Sequence, residues 1–213
     1  PMKLRPRGSL ALAYLAGHLT LAGWSCTGVS DEARQQAIAD VNLGRGLYAD
    51  ERDMRGAIVA WERAIRRDPE NAEARLYLGQ VMGSLERWPD AERHLREAVR
   101  LYAQRAAVEE TIRAPLAEAR NSLGAVLVNA GRPGEAIPVL RAVTEELTYR
   151  SPHLAWGNLG QALLRANQVP EAVTALERAV ALQPNFCVGW ARLGEAQLRA
   201  DNLPQALASL DRA

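Results

Sequence analysis

The chain has 213 residues, 48% of them hydrophobic, which is enough for one substantial domain preceded by a short segment. Its 26 basic and 25 acidic side chains almost cancel, so no overall charge favours binding to nucleic acid or to an anionic surface. Aromatic residues make up only 5% of the chain and strong helix formers dominate, which predicts an all-α fold. Two cysteines are too few for a disulfide framework or a structural zinc site.

Residues 1–26 differ in composition from the rest of the chain. Three basic residues, Lys3, Arg5 and Arg7, precede an apolar stretch of about 15 residues that ends at Gly23. Such a stretch is short for a helix that spans a bilayer, but it is typical of a secretory signal. We therefore expect residues 1–26 to direct export and to stay outside the folded domain.

The apolar stretch ends in Leu21-Ala-Gly-Trp-Ser-Cys26, which resembles the signal of a bacterial lipoprotein. In such signals a cysteine follows small residues and becomes the lipid-bearing first residue of the mature protein. The bulky Trp24 departs from this pattern. An ordinary cleaved signal or an uncleaved anchor, with Cys26 incidental, is the alternative. We expect Cys26 to be lipidated and residues 27–37 to form a polar tether.

One spacing recurs through residues 38–213, which we assign to a single repeat domain. An aliphatic residue and a glycine are followed by an alanine twelve residues after the glycine, and by another small residue seven residues later. The four regular copies begin at Leu78-Gly79, Leu123-Gly124, Leu159-Gly160 and Leu193-Gly194 and carry their alanines at Ala91, Ala136, Ala172 and Ala206. A looser first copy contains Ala57, Ala64 and Pro69, so the chain carries about five copies.

This pattern resembles the tetratricopeptide-repeat (TPR) family, in which each copy is a pair of antiparallel helices. The resemblance implies a right-handed superhelix of about five helix-turn-helix repeats. The small residues would lie where helices cross, since only they let the backbones approach closely. Trp156 and Trp190 then belong to the core rather than to a cofactor site. The spacing places the repeats at 38–71, 72–105, 117–150, 153–186 and 187–213.

Residues between the helices carry the signals that end one helix and start the next. Gly131, Asn167 and Asp201 tolerate the left-handed backbone conformation that often closes a helix. The prolines at equivalent places fall in the first turn of a second helix, where the missing N–H is not needed. These prolines are Pro89, Pro133, Pro170 and Pro204.

The spacing is interrupted between the second and third copies. The alanines from Ala57 to Ala206 are separated by 34, 45, 36 and 34 residues, which indicates an insertion of 11 residues. Eleven residues are about three helical turns, so we expect one long protruding helix from about Pro89 to Arg113, with a surface loop as the alternative.

At Ala213 the last repeat is incomplete and lacks a polar terminal helix, and we expect the natural protein to continue.

No motif for catalysis, a cofactor or a metal ion is recognisable in the sequence. We therefore expect no catalytic, cofactor-binding or metal-binding residues and no small-molecule substrate.

The stacking of the fourth and fifth repeats is expected to bring His153 within roughly 10 Å of Cys187. A thiol–imidazole pair could act as a nucleophile or as half of a metal site. No carboxylate or amide partner is evident, and the alternative is an isolated thiol and a histidine at a helix start.

The TPR resemblance also implies a binding surface, because such stacks bind protein segments in a concave groove lined by the first helix of each repeat. No groove lysine that would clamp a C-terminal carboxylate is present, so an extended or helical segment with apolar side chains fits better. Leu164 and Leu198, one turn after their glycines, are expected to be exposed neighbours in this groove. The predicted groove residues are Glu73, Leu76, Gln80, Asn121, Asn129, Leu154, Gln161, Leu164, Arg165, Val188, Glu195, Leu198 and Arg199.

Residues 117–195 resemble the pilotin lipoproteins of type IV pilus systems. The distinctive features are a Tyr-x-x-Pro hairpin at Leu147-Thr-Tyr-Arg-Ser-Pro152 and the Phe186-Cys187 pair. Pilotins are TPR lipoproteins of the outer membrane that help the pilus secretin to insert and oligomerise. Together with Cys26, the resemblance implies a non-enzymatic protein at the periplasmic face of the outer membrane. Its partner would be the secretin, with no role for nucleic acid.

Two other hypotheses stay open at this point. The first is a generic TPR scaffold that serves another assembly in the cell envelope or the cytoplasm. The second is an enzyme that uses Cys187.

Overall fold

The computed structural model describes residues 28–49 and 53–213, so the predicted export signal and Cys26 lie outside the described residues. The described part contains ten α-helices, one short 3-10 helix at Glu110–Ile112 and no strand, which confirms the all-α prediction. The helices are α1 (Asp31–Ala49), α2 (Met54–Arg67), α3 (Ala72–Ser84), α4 (Trp88–Ala106), α5 (Arg113–Asn129), α6 (Pro133–Thr144), α7 (Pro152–Arg165), α8 (Val169–Leu182), α9 (Cys187–Arg199) and α10 (Leu203–Leu210).

The ten helices form five consecutive hairpins, α1–α2, α3–α4, α5–α6, α7–α8 and α9–α10. The second helix of each hairpin packs against the first helix of the next, so the hairpins stack in chain order. The first helices α3, α5, α7 and α9 also contact one another in succession. The predicted superhelix of five helix-turn-helix repeats is therefore confirmed, and one face of it is built from first helices only.

Helix α1 begins earlier than the sequence indicated. Residues 31–37, predicted as part of a tether, are helical because Ser30 Oγ accepts a hydrogen bond from the Ala33 backbone N–H at 3.2 Å and caps the helix start. Ala37 is fully buried, and Asp40 is only 4% exposed. The predicted boundary at residue 38 therefore lies inside α1, and the first hairpin is as complete as the others.

The two helices of a hairpin meet at the repeat glycine. A Cβ atom added to Gly160 of α7 would lie 2.5 Å from Leu176 Cγ of α8, far inside van der Waals contact. The same approach to a leucine of the second helix occurs at Gly79, Gly124 and Gly194. In the first hairpin Gly44 lies equally close to the Trp61 ring. The small residues thus set the helix separation, as their spacing predicted.

The helix ends also follow the sequence signals. Gly131, Asn167 and Asp201 adopt positive φ values between the two helices of their hairpins, which confirms the predicted left-handed caps. Glu86 adopts the same conformation (φ 58°) in the second hairpin, where the sequence carried no such signal. All four predicted prolines lie in the first turn of a second helix.

The predicted long helix through the insertion is wrong. Helix α4 ends at Ala106, an exposed turn and the 3-10 helix follow, and α5 begins at Arg113. Ile112 explains this turn, because its side chain is only 8% exposed and packs in the core cluster. The insertion therefore lengthens α4 and α5 at their adjoining ends and bridges them with a short connection.

Candidate partner-binding groove

The face made of first helices is held together by a ladder of polar side chains. Gln80 Nε2 of α3 donates to Glu118 Oε1 and Ser122 Oγ of α5, both at 3.0 Å. Asn158 Nδ2 of α7 donates to Asn121 Oδ1 of α5 at 3.1 Å. Gln80 and Asn121 were predicted as partner contacts, but both are engaged in joining helices, and Asn121 is only 6% exposed.

The next rung of the ladder is an arginine that the sequence prediction missed. Arg192 Nη1 of α9 donates to the Gly157 carbonyl at 3.3 Å and to Asn158 Oδ1 at 3.4 Å. Arg192 lies two residues before its repeat glycine, the position that Tyr77, Ser122 and Asn158 occupy in earlier repeats. A charged side chain at a position occupied by uncharged polar ones was the available signal.

Six residues of α7 and α9 enclose a cavity of about 330 Å³ on this face, which we call the arginine pocket. Its lining consists of Gln161, Leu164, Arg165, Arg192, Glu195 and Arg199. The structure thus brings together five of the predicted groove residues and adds Arg192. Three guanidinium groups surround one carboxylate, so the pocket carries a formal charge of about +2 at neutral pH.

In the part of the chain that the structure describes, only one of the three arginines of the pocket forms an ion pair with a carboxylate. Arg199 donates to Glu195 Oε1 at 3.0 Å and to the Leu164 carbonyl at 3.1 Å. Within the described residues, neither Arg165 nor Arg192 has a carboxylate at ion-pairing distance. Burial, and the nearby charge of Arg165, lower the pKa of Arg192. Two guanidinium groups therefore face the pocket without an anionic partner.

Apolar side chains flank the arginine pocket. Leu154 is 36% exposed and Val188 is 52% exposed. Each precedes a pocket residue, Gln161 or Glu195, by seven residues, which is two helical turns on the same face. Leu198 is 45% exposed on α9.

The prediction that Leu164 is an exposed groove residue is wrong. Leu164 is 3% exposed and belongs to the core cluster. The equivalent residue of α3, Gly83, shows the reason: a Cβ atom added there would lie 3.2 Å from Val126 of the next first helix. This helix position packs against the following hairpin. Leu198 occupies it in the fifth hairpin and has no following hairpin among the described residues.

A larger cavity of about 830 Å³, which we call the acidic cleft, lies between the starting ends of α3 and α5 and the insertion. Its lining carries four carboxylates and three guanidinium groups, so the acidic side chains exceed the basic ones by only one. It includes Glu73, Leu76 and Glu118, together with Tyr102 and Ile112 from the insertion side. The insertion therefore forms one wall of this cavity. Two predicted groove residues, Glu73 and Leu76, lie here, although Leu76 is only 5% exposed.

Tyr149 also lines the acidic cleft, and its hydroxyl is unsatisfied. The side chain is 6% exposed, and no hydrogen bond of acceptable geometry joins the hydroxyl to Glu118 or to any other described residue. Burial and the Glu118 carboxylate raise the pKa of Tyr149. The ring packs with Ala117, Val143 and Ala155, so the tyrosine of the Tyr-x-x-Pro hairpin closes the joint between the third and fourth hairpins.

The remaining predicted groove residue lies apart from both cavities. Asn129 is exposed at the end of α5 and lines neither the arginine pocket nor the acidic cleft. The predicted groove is therefore divided into an acidic cleft, a polar ladder and an arginine pocket.

Phe186, the neighbour of Cys187, contacts His153. The two rings meet edge to face with centroids 5.3 Å apart, and Phe186 also fills the space left by Gly157 and Gly189. Cys187 is exposed, and its Sγ is 3.9 Å from the Asn185 carbonyl. The phenylalanine of the Phe-Cys pair is thus a packing residue between the fourth and fifth hairpins.

In residues 28–49 and 53–213, no three histidine, cysteine or acidic side chains are grouped as a metal site would require. No helix of this part has the length and apolarity needed to cross a bilayer.

Comparison with known sequence families assigns the repeats to the tetratricopeptide-repeat family. A sequence profile of the tetratricopeptide repeat matches residues 41–106, 83–151, 121–186 and 158–213. Comparison with curated protein sequences finds no significant match.

Solved structures with a similar arrangement of helices include PilW, PilF and MamA. PilW, a widely conserved type IV pilus biogenesis factor, is 24% identical, with a TM-score of 0.70 over 84% of this chain and 76% of PilW. Pseudomonas aeruginosa PilF is 21% identical, with a TM-score of 0.68 over 85% of this chain and 76% of PilF. MamA of Desulfovibrio magneticus is 20% identical, with a TM-score of 0.67 over 87% of this chain and 94% of MamA. At these identities the likeness concerns the fold.

Proposed function

Because this chain belongs to the tetratricopeptide-repeat family, whose fold serves as a protein-interaction scaffold, we propose that it is a pilotin-like lipoprotein. In this proposal it binds the type IV pilus secretin and assists its assembly in the outer membrane, without catalysing a reaction. The observation that carries the binding function is the face of first helices. There, Leu154 and Val188 are exposed two helical turns before the pocket residues Gln161 and Glu195, and the pocket holds the unpaired guanidinium groups of Arg165 and Arg192. Exposed apolar side chains grouped with unpaired charges on one face are typical of a protein interaction site.

Two features support the pilotin assignment over other TPR functions. The residues that resemble pilotins, Tyr149 and Phe186, pack between hairpins on either side of the fourth hairpin. PilW, which shares the fold, is described as a type IV pilus biogenesis factor.

Lipidation of Cys26 would set the position of the scaffold. Helix α1 begins at Asp31, five residues after Cys26. Five residues span at most about 17 Å when fully extended. The first hairpin would then lie against the periplasmic face of the outer membrane, where a secretin subunit inserts.

A generic scaffold is the second candidate, because MamA matches over 94% of its own length with a similar TM-score of 0.67. Capture from envelope extracts separates the two candidates. The affinity-tagged chain should retain the secretin as a major captured protein if it is a pilotin. Capture of a different assembly without the secretin would favour the generic scaffold.

Metabolic labelling with palmitate in the same cells tests the lipid anchor at Cys26, since a scaffold without a lipidated cysteine stays unlabelled.

A further inference from the structure

We propose that the arginine pocket is a specific site for an acidic side chain, Asp or Glu, of a partner protein segment that lies along the groove. The proposal rests on the proposed function in one respect, namely that the groove accepts a protein segment. It adds the chemistry by which the segment is recognised.

The donors are already held in place. The Gly157 carbonyl and Asn158 Oδ1 fix Nη1 of Arg192, and the Leu164 carbonyl fixes Nη1 of Arg199. A guanidinium group has five N–H donors, so most of those on Arg192 stay free for an incoming acceptor. A carboxylate is the acceptor that matches a guanidinium group in both charge and geometry.

The internal carboxylate does not satisfy the pocket. Glu195 is one turn from Arg199 and is paired with it at 3.0 Å. Arg165 and Arg192 are left without a carboxylate of their own among the described residues. One acidic side chain entering the pocket would lower the excess positive charge and pair with both guanidinium groups.

The size and surroundings of the pocket favour a protein side chain. A cavity of about 330 Å³ accommodates one side chain with bound water. The exposed Leu154 and Val188 lie on the same helix faces, two helical turns before the pocket residues Gln161 and Glu195. A segment in which an acidic residue stands between apolar residues would therefore satisfy the charge and cover the apolar surface together.

Binding of defined peptides tests the proposal directly. The probe is the capped, fluorescently labelled heptapeptide Gly-Leu-Glu-Gly-Leu-Glu-Gly, compared with a version that carries lysine in place of glutamate. We expect the acidic peptide to bind at least tenfold more tightly at low salt, and its affinity to fall as salt is raised. Equal affinity for the two peptides would overturn the proposal.

Variants assign the effect to the pocket. Arg165→Gln, at an exposed position, should weaken binding of the acidic peptide about tenfold, because one charge-assisted hydrogen bond is lost. Arg55→Gln, at an exposed position of the second helix α2, is the matched control and should bind like the natural chain. Arg192→Gln should also weaken binding, and its thermal melt shows whether the fold survives. Unchanged affinity in a folded Arg165→Gln chain would contradict the proposal.

Two further measurements distinguish failure of the pocket proposal from failure of the proposed pilotin function. Phosphatidylglycerol vesicles test an anionic lipid surface as the alternative ligand, and binding to them that depends on Arg165 would overturn the assignment to a protein side chain. Secretin capture by the Arg165→Gln chain separates this inference from the proposed function. Loss of peptide binding with no secretin captured even by the natural chain would support the pocket and refute the pilotin role. Undiminished secretin capture by Arg165→Gln would support the pilotin role and refute the pocket.

Discussion

Gly160 and Leu176 are so close that a single methyl group added to the glycine would overlap the leucine, with a Cβ to Cγ distance of 2.5 Å. Leu176 is fully buried, so it has little room to withdraw. Because the same pair recurs in neighbouring hairpins, this contact fixes the helix separation throughout the stack.

The Gly160→Ala substitution should therefore destabilise the chain by about 1–3 kcal/mol through overpacking. Gly46, in helix α1, is the matched control, because a Cβ atom added there meets nothing within 4 Å. Gly46→Ala should raise the free energy of unfolding by about 0.5–1 kcal/mol, since alanine is the better helix former. Urea unfolding of both variants measures the difference. An unchanged midpoint in Gly160→Ala would show that the helices do not cross at this glycine.

Asp40 should be essential for the first hairpin. Its buried carboxylate accepts hydrogen bonds from Arg63 Nε at 2.8 Å and from Arg67 Nη1 at 2.6 Å, which join α1 to α2. Asp40→Ala removes these bonds, together with the contact of Arg63 Nη2 to the same carboxylate, and should cost about 1–3 kcal/mol. Asp31→Ala is the control, because that carboxylate is 98% exposed and should contribute little. Equal stability of the two variants would contradict the assignment of α1 to the stack.

Stability should fall in mild acid because of His94. Burial and the nearby Arg93 and Arg75 lower the pKa of His94 in the folded chain. The unfolded chain takes up the proton near pH 6.5, whereas the folded chain does so only at lower pH. The free energy of unfolding should therefore decrease as the pH drops below about 6.5, until the pKa of the folded state is reached.

Thermal melts between pH 7.5 and pH 5.5 measure this effect. The His94→Gln variant should lose the pH dependence over this range, and His153→Gln should retain it. A slope that survives in His94→Gln would assign the titration to another group.

The sequence predicted best those features that recur in every repeat. Close approaches such as that of Gly160 to Leu176 allow only small residues where helices cross. Small residues therefore recur at a regular spacing in the sequence. The insertion was predicted wrongly because its helix-forming composition does not show where the chain turns. The turn is followed by Ile112, whose burial in the core cluster composition alone does not reveal. Leu164 was misplaced for a similar reason, since the following hairpin covers it. Arg192 was missed because its position carries a different residue in each repeat.

Membrane attachment should depend on Cys26. The Cys26→Ser substitution removes the thiol that would carry the lipid, so the protein should move from the membrane fraction to the soluble periplasmic fraction. Fractionation and immunoblotting measure this, with Cys187→Ser as the control that should remain membrane-bound. Retention of Cys26→Ser in the membrane would refute lipid anchoring at this residue.

Site-specific photo-crosslinking in living cells tests most directly whether the face of first helices binds the secretin. A photoreactive residue at Val188 lies on that face and is 52% exposed, whereas one at Thr174 is exposed on the outer helix α8. We predict a secretin adduct from position 188 and none from position 174. A secretin adduct only from position 174, or adducts at position 188 that never contain the secretin, would contradict it.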